Sequence, residues 1–164
     1  MEELKLCIND DPILRKRSKK LTKVTDEDRE LFNRMLEVMH REKGVGLAAP
    51  QIGINKQMLV VDIGLGPLKL ANPKVLRCRN KCFMEESCLS LPGIQVDVRR
   101  AKCVEIAAQN ECGERVRIEA KDLLARALLH EIDHLNGTLI IDYMPWYKRL
   151  QLKRKWKKNP VLKD

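Results

Sequence analysis

Aromatic residues are scarce in this chain. Two Trp, two Tyr and two Phe make six in 164 residues, few for the base-stacking platforms of single-strand nucleic-acid binders. No run of about 18 or more apolar residues occurs, so no membrane span is expected. The N-terminus, MEELKLCINDDPILRK, lacks the basic-then-apolar order of a secretory leader. A cytoplasmic setting is therefore expected, with the six cysteines as thiols or metal ligands rather than a disulfide framework. Repeats, low-complexity tracts and Pro/Ser linkers are also missing, which points to one domain. Histidine is rarest in relation to its use: there are three, His40, His130 and His134.

Charge is present but unevenly spread. Residues 148–164 hold eight Lys/Arg and one Asp, a net of +7, which leaves +2 of the total +9 for residues 1–147. A nearly neutral body with a basic tail suggests an anionic partner, nucleic acid first. The plainer reading is a solvated terminal helix.

The apolar pattern outlines an α+β fold: antiparallel β-sheets around a central metal-binding helix, with N-terminal and C-terminal helices. Residues 25–43 read as a helix capped by Thr25, with Leu31, Met35, Val38 and Met39 at helical spacing and Gly44 as its end. Residues 57–63, 69–76 and 94–98 read as short strands, and Asn110 to Gly113 as a hairpin turn. Residues 121–136 read as the central helix closed by Gly137, and TLIIDY (138–143) as a strand. Pro145 opens a last helix, expected to dock through Trp146, Leu150 and Leu152.

The central helix carries the chemistry. His130 and His134 project from one face, one turn apart, with Glu131 between them. Leu123 and Ala127 continue that stripe, and Leu128, Ile132 and Leu135 lie off it, so the helix is largely apolar all round. Burying two imidazoles and two carboxylates without partners would cost several kcal/mol, on the order of 2–7 for each neutral polar group. A shared metal ion is the better account, and it needs a third protein ligand. A third His six residues on is ruled out, because Ile140 stands there. Asp142 sits in an apparent strand and His40 on the first helix, which leaves the thiols. Cys88, in EESCLSLPG, stands out among them, while the C-x3-C pair Cys78 and Cys82, with Cys103 and Cys112, could form a separate zinc site. The segment GVGLAAPQIG (44–53) adds glycines that permit close backbone approach, beside the single amide Gln51.

Three segments together resemble the signature motifs of the peptide deformylases. Gly44 to Gln51 match the Gly-x-Gly-Leu-Ala-Ala-x-Gln loop, and His130 to Leu135 match the His-Glu-x-x-His-Leu helix. Glu86 to Ser90 match Glu-Gly-Cys-Leu-Ser except at Ser87, where the family usually has Gly. The entry segment DDPILRKRSKKL is also similar, so the likeness covers most of the chain. The resemblance implies that Cys88 is the third ligand, with an open fourth position on one divalent ion. That ion would be Fe2+ in cells, with Zn2+, Ni2+ or Co2+ able to substitute. It implies hydrolysis of the formyl amide of N-formyl-methionyl nascent peptides. Glu131 would then be general base and acid. The Gln51 side chain and the Leu89 backbone N–H would be oxyanion donors. Gly46 and its loop would hold the peptide as an added strand, and Val45, Leu123 and Ala127 would line the methionine pocket, with Arg126 at the rim. Asp133, paired with Arg100, would order the ligands. Residues 1–147 are then the catalytic domain. Residues 148–164 form a basic C-terminal helix of the same domain, expected to dock on the ribosome near the exit tunnel. A zinc-dependent peptidase and an RNA-binding module with a structural zinc are the competing readings.

Overall fold

The computed structural model describes residues 4–158. Helix α1 spans Asp26–Arg41. It begins at the expected cap: the Thr25 hydroxyl accepts from the Asp28 N–H, and the Asp28 carboxylate accepts from the Thr25 N–H. It ends at Arg41, three residues before the glycine expected to stop it. Lys43 adopts the left-handed conformation (φ 56°), and the Gly44 N–H closes back onto the Met39 carbonyl. Gly44 instead gives room to Leu89, whose Cδ1 a Cβ there would meet at 2.7 Å and push aside.

Five strands follow: β1 (Gly46–Ala48), β2 (Met58–Val61), β3 (Leu68–Cys88), β4 (Leu91–Gln109) and β5 (Arg115–Lys121). They form one antiparallel sheet in the order β1-β2-β3-β4-β5 rather than separate sheets. The short strands expected at 69–76 and 94–98 are parts of β3 and β4, which run for 21 and 19 residues. Residues 77–87 of β3 are mostly exposed, and their apolar members, Phe83 and Met84 among them, do not alternate with polar ones, so their pairing with β4 rests on the backbone ladder. Bulges in that ladder let the long pair bend.

Helix α2 (Asp122–Leu135) lies against the sheet, with Ala125, Leu128, Ile132 and Leu135 in the largest apolar cluster. Gly137 follows in the left-handed region (φ 75°), and a Cβ there would meet the Arg15 carbonyl at 2.5 Å. TLIIDY is not a strand. Ile140–Tyr143 form a 3-10 turn, closed by the Asp142 carboxylate accepting from the Leu139 N–H (2.9 Å). Its buried apolar run suits either element, and periodicity alone does not separate them.

Helix α3 (Trp146–Lys158) begins as expected after Pro145 and docks through Leu152 as expected, but with Trp156 in place of Trp146 and Leu150. Trp156 is buried, and with Leu152 it joins the cluster of Leu14, Cys88, Leu91 and Ile140; Trp146 is 70% exposed and Leu150 41%. Residues 159–164 of the basic tail lie outside the described residues. No described helix is long and apolar enough to cross a membrane.

Candidate metal centre

Cys88 ends β3, and Glu86 two residues earlier is also buried while Ser87 between them is exposed, the alternation of a strand. α2 brings His130 and His134 over the same spot. The Cys88 Sγ lies 3.2 Å from His134 Nε2, and His134 Nε2 lies 3.2 Å from His130 Nε2. All three ligand atoms fall within 4.8 Å of one another. Metal–nitrogen bonds of about 2.0–2.1 Å and a metal–sulfur bond of about 2.3 Å at tetrahedral angles separate ligand atoms by roughly 3.3–3.6 Å. One thiol and two imidazoles at these spacings therefore fit one divalent metal ion with a position left over. Among the described residues, Cys78, Cys82, Cys103 and Cys112 form no such group.

Glu131 faces the same space. It is buried, and its Oε2 has no hydrogen-bond partner. Burial pushes its carboxyl up to about 7. β1 passes so close that a Cβ on Gly46 would stand 2.3 Å from Glu131 Oε1. Gln51 is buried with a fixed orientation: its Oε1 accepts from the Ala48 N–H (2.8 Å), which turns its Nε2 toward Ser90 Oγ (3.2 Å) and Cys88 Sγ (3.7 Å). These groups open on a cleft of about 340 Å³, lined also by Val45, Gly46, Leu89, Leu123, Ala127 and Met84. The residues predicted for base, oxyanion donors and side-chain pocket thus share one cleft.

The sequence reading missed Glu86 as a functional group. Its Oε2 lies 3.1 Å from His130 Nδ1, Arg100 donates to both its oxygens (2.6 and 2.9 Å), and Arg126 Nη1 donates to Oε1 (2.6 Å). Burial works against its charged form, but the contacts from His130 and Arg100 outweigh it and hold the carboxyl at about 2. The i, i+2 spacing of Glu86 and Cys88 in an extended segment was the available signal. The Arg100–Asp133 pair expected from sequence is present at 2.8 Å. Arg126 borders the cleft as expected, but it is buried, and its Nη1 also donates to the Val98 carbonyl (3.1 Å). His40 is on the surface beside Asp62, away from the cleft.

Fold and donor set together define a metal-dependent hydrolase. The family model for polypeptide deformylase matches residues 3–150. A peptide deformylase of Clostridium botulinum is 52% identical over 132 residues, covering 80% of this chain and 90% of that protein. The crystal structure of peptide deformylase from Thermotoga maritima superimposes with a TM-score of 0.84 at 42% identity, covering 87% of this chain and 97% of that one. That of a peptide deformylase from Synechococcus elongatus, solved with actinonin, gives 0.86 at 42% identity, covering 94% and 85%. The chain belongs to the polypeptide deformylase family, and it is a metal-dependent enzyme that removes the N-terminal formyl group.

Proposed function

We propose that the chain deformylates N-formyl-methionyl nascent peptides with Glu131 as the proton-transfer group. The buried Glu131 carboxylate, with one oxygen unpartnered beside the three ligand atoms, carries this reading. Cys88, His130 and His134 would hold one divalent ion, which supplies Lewis acidity to the formyl carbonyl and to water. Glu131 takes a proton from the attacking water and gives it to the leaving amine, so formate and a free N-terminus result. A carboxyl pushed up to about 7 is suited to both transfers near neutral pH. Gln51 Nε2 and the Leu89 N–H stabilise the charge that grows on the carbonyl oxygen. The peptide adds as a strand beside Gly46, and its methionine side chain enters between Val45, Leu123 and Ala127. Formate release from formyl-Met-Ala-Ser, without cleavage of the Met–Ala bond, separates this from a peptidase. Glu131→Gln should keep the metal and lose about 10²–10⁴-fold in turnover. Turnover within threefold of wild type would remove Glu131 from this role.

We infer Fe2+ as the ion used in the cytoplasm. A thiolate with two imidazoles accepts Fe2+, Zn2+, Ni2+ or Co2+, so metal analysis of protein purified without air is the test. The Fe2+ form should lose activity in air faster than the Ni2+ form, because an iron–thiolate site is open to oxidation.

Residues 1–147 carry the catalysis, and the basic C-terminal segment 148–164 docks on the ribosome. Leu152 and Trp156 seat α3, while Lys153, Arg154, Lys155 and Lys157 are exposed. Replacing these four with Gln should spare hydrolysis of the short peptide and reduce co-sedimentation with ribosomes at low salt. Equal co-sedimentation would leave α3 a solvated helix.

A further inference from the structure

Tyr143 ends the 3-10 turn that joins α2 to α3. Its hydroxyl donates to Asp133 Oδ2 at 2.7 Å, and the same oxygen accepts from Arg100 Nη1 at 2.8 Å. The Arg100 guanidinium also lies over the Tyr143 ring, 5.2 Å from its centroid. Tyr143 therefore touches both members of the pair. Arg100 Nε and Nη2 then engage Glu86 at 2.6 and 2.9 Å, and Glu86 meets His130 Nδ1 at 3.1 Å. Every link has hydrogen-bond length, and the two middle members, Arg100 and Glu86, are 5% and 7% exposed. The planar Arg100 guanidinium is held by Glu86 at two nitrogens and by Asp133 at a third, so the Asp133 contact adds a second direction of restraint to the whole fork.

We propose that Tyr143 is a positioning residue of the metal centre: it holds the Asp133–Arg100 pair, which fixes the Glu86 carboxylate and thereby the plane of the His130 imidazole. The proposal rests on Cys88, His130 and His134 being the metal ligands. It also ties the seating of α3 to the centre, since Asp142 beside Tyr143 is held by Arg149 of α3 (3.4 Å) and by Arg15 (2.5 Å). Groups that directly orient a metal-bound imidazole are typically worth ~10–100-fold in affinity or activity. Tyr143 acts through two further side chains, so a smaller effect of about 3–10-fold is expected.

The test uses the full chain stripped of metal and titrated with Co2+, following the visible absorption bands and the affinity. Tyr143→Phe keeps the ring and loses the hydroxyl; Tyr143→Leu loses both. Thr25→Ala, at the far helix α1, serves as a variant that only destabilises. Tyr143→Phe should weaken Co2+ binding about 3-fold and Tyr143→Leu about 10-fold, with shifted bands and a lower kcat at unchanged KM. Thr25→Ala should lower the melting temperature and leave the bands in place. If both Tyr143 variants behave like Thr25→Ala, with unaltered bands and affinity, Tyr143 has no positioning role. If His130→Ala binds Co2+ as wild type does, the ligand assignment fails and the role of Tyr143 fails with it.

Discussion

Single atoms decide much of the cleft, and Gly46 is the clearest case. A methyl group on it would lie 2.3 Å from Glu131 Oε1, far inside contact distance, so the carboxylate would have to move. Gly46→Ala should therefore keep about one metal per chain and lose about 10²-fold or more in kcat/KM, as when a general base is displaced. Metal analysis beside formate release checks this, and retention of both would show that the carboxylate relaxes at little cost. His130, Glu131 and His134 were visible in sequence because all three stand on one helix, where spacing fixes who faces whom. Arg100, Arg126 and Glu86 were not visible as a cluster. They come from β4, α2 and β3, and no local period relates residues 14 to 40 positions apart. Ser87, in place of the family's glycine, is paired with Gln95 in extended backbone and is not among the positive-φ residues, so its side chain adds no such strain.

Elements read well where local chemistry marks both ends. α1 shows a cap, acidic first turn and helical period, and all three are realised. The same cap makes α1 sensitive to acid. Burial of Asp28 pushes its carboxyl up, but Lys56 Nζ (2.6 Å) and the Thr25 N–H and hydroxyl outweigh this and hold it below the usual 3.8. A lowered carboxyl contributes stability above its unfolded value, and that contribution is lost as pH falls through the folded one. Between pH 5 and about pH 3, wild type should thus lose more unfolding free energy than Asp28→Asn, as read by urea denaturation at each pH. Equal losses would show that Lys56 does not hold the charge. α3 was read in part, with Leu152 docking as expected; it carries two apolar sets, and its docking face is chosen by what the body offers. Leu14, Leu91 and Ile140 make a socket at the end that receives Trp156, so Trp146 is left outside.

At the scale of the whole molecule, the three residues proposed as metal ligands come from the end of β3 and from α2. An ion held by both elements exists only in the folded chain, so it stabilises the fold by mass action. At a free metal concentration of ~100 Kd the gain is about 2.7 kcal/mol, or roughly 5–10 °C in melting temperature for a chain of this size. Stripping the metal with a chelator should lower the melting temperature by that amount, and adding Co2+ should restore it. The α+β class followed from the mixture of periods, while the union of the strands into one sheet did not, because the mostly exposed residues 77–87 show no apolar alternation. The strand order also leaves two open edges, and they differ in what they invite. On β5, Arg115, Arg117, Glu119 and Lys121 alternate outward and are exposed, a charged border that discourages a stray strand from another molecule. β1 is three residues long and begins in the cleft at Gly46. The edge beside the cleft is thus the one where the peptide strand is proposed to add, while the other border is guarded against fibrous growth.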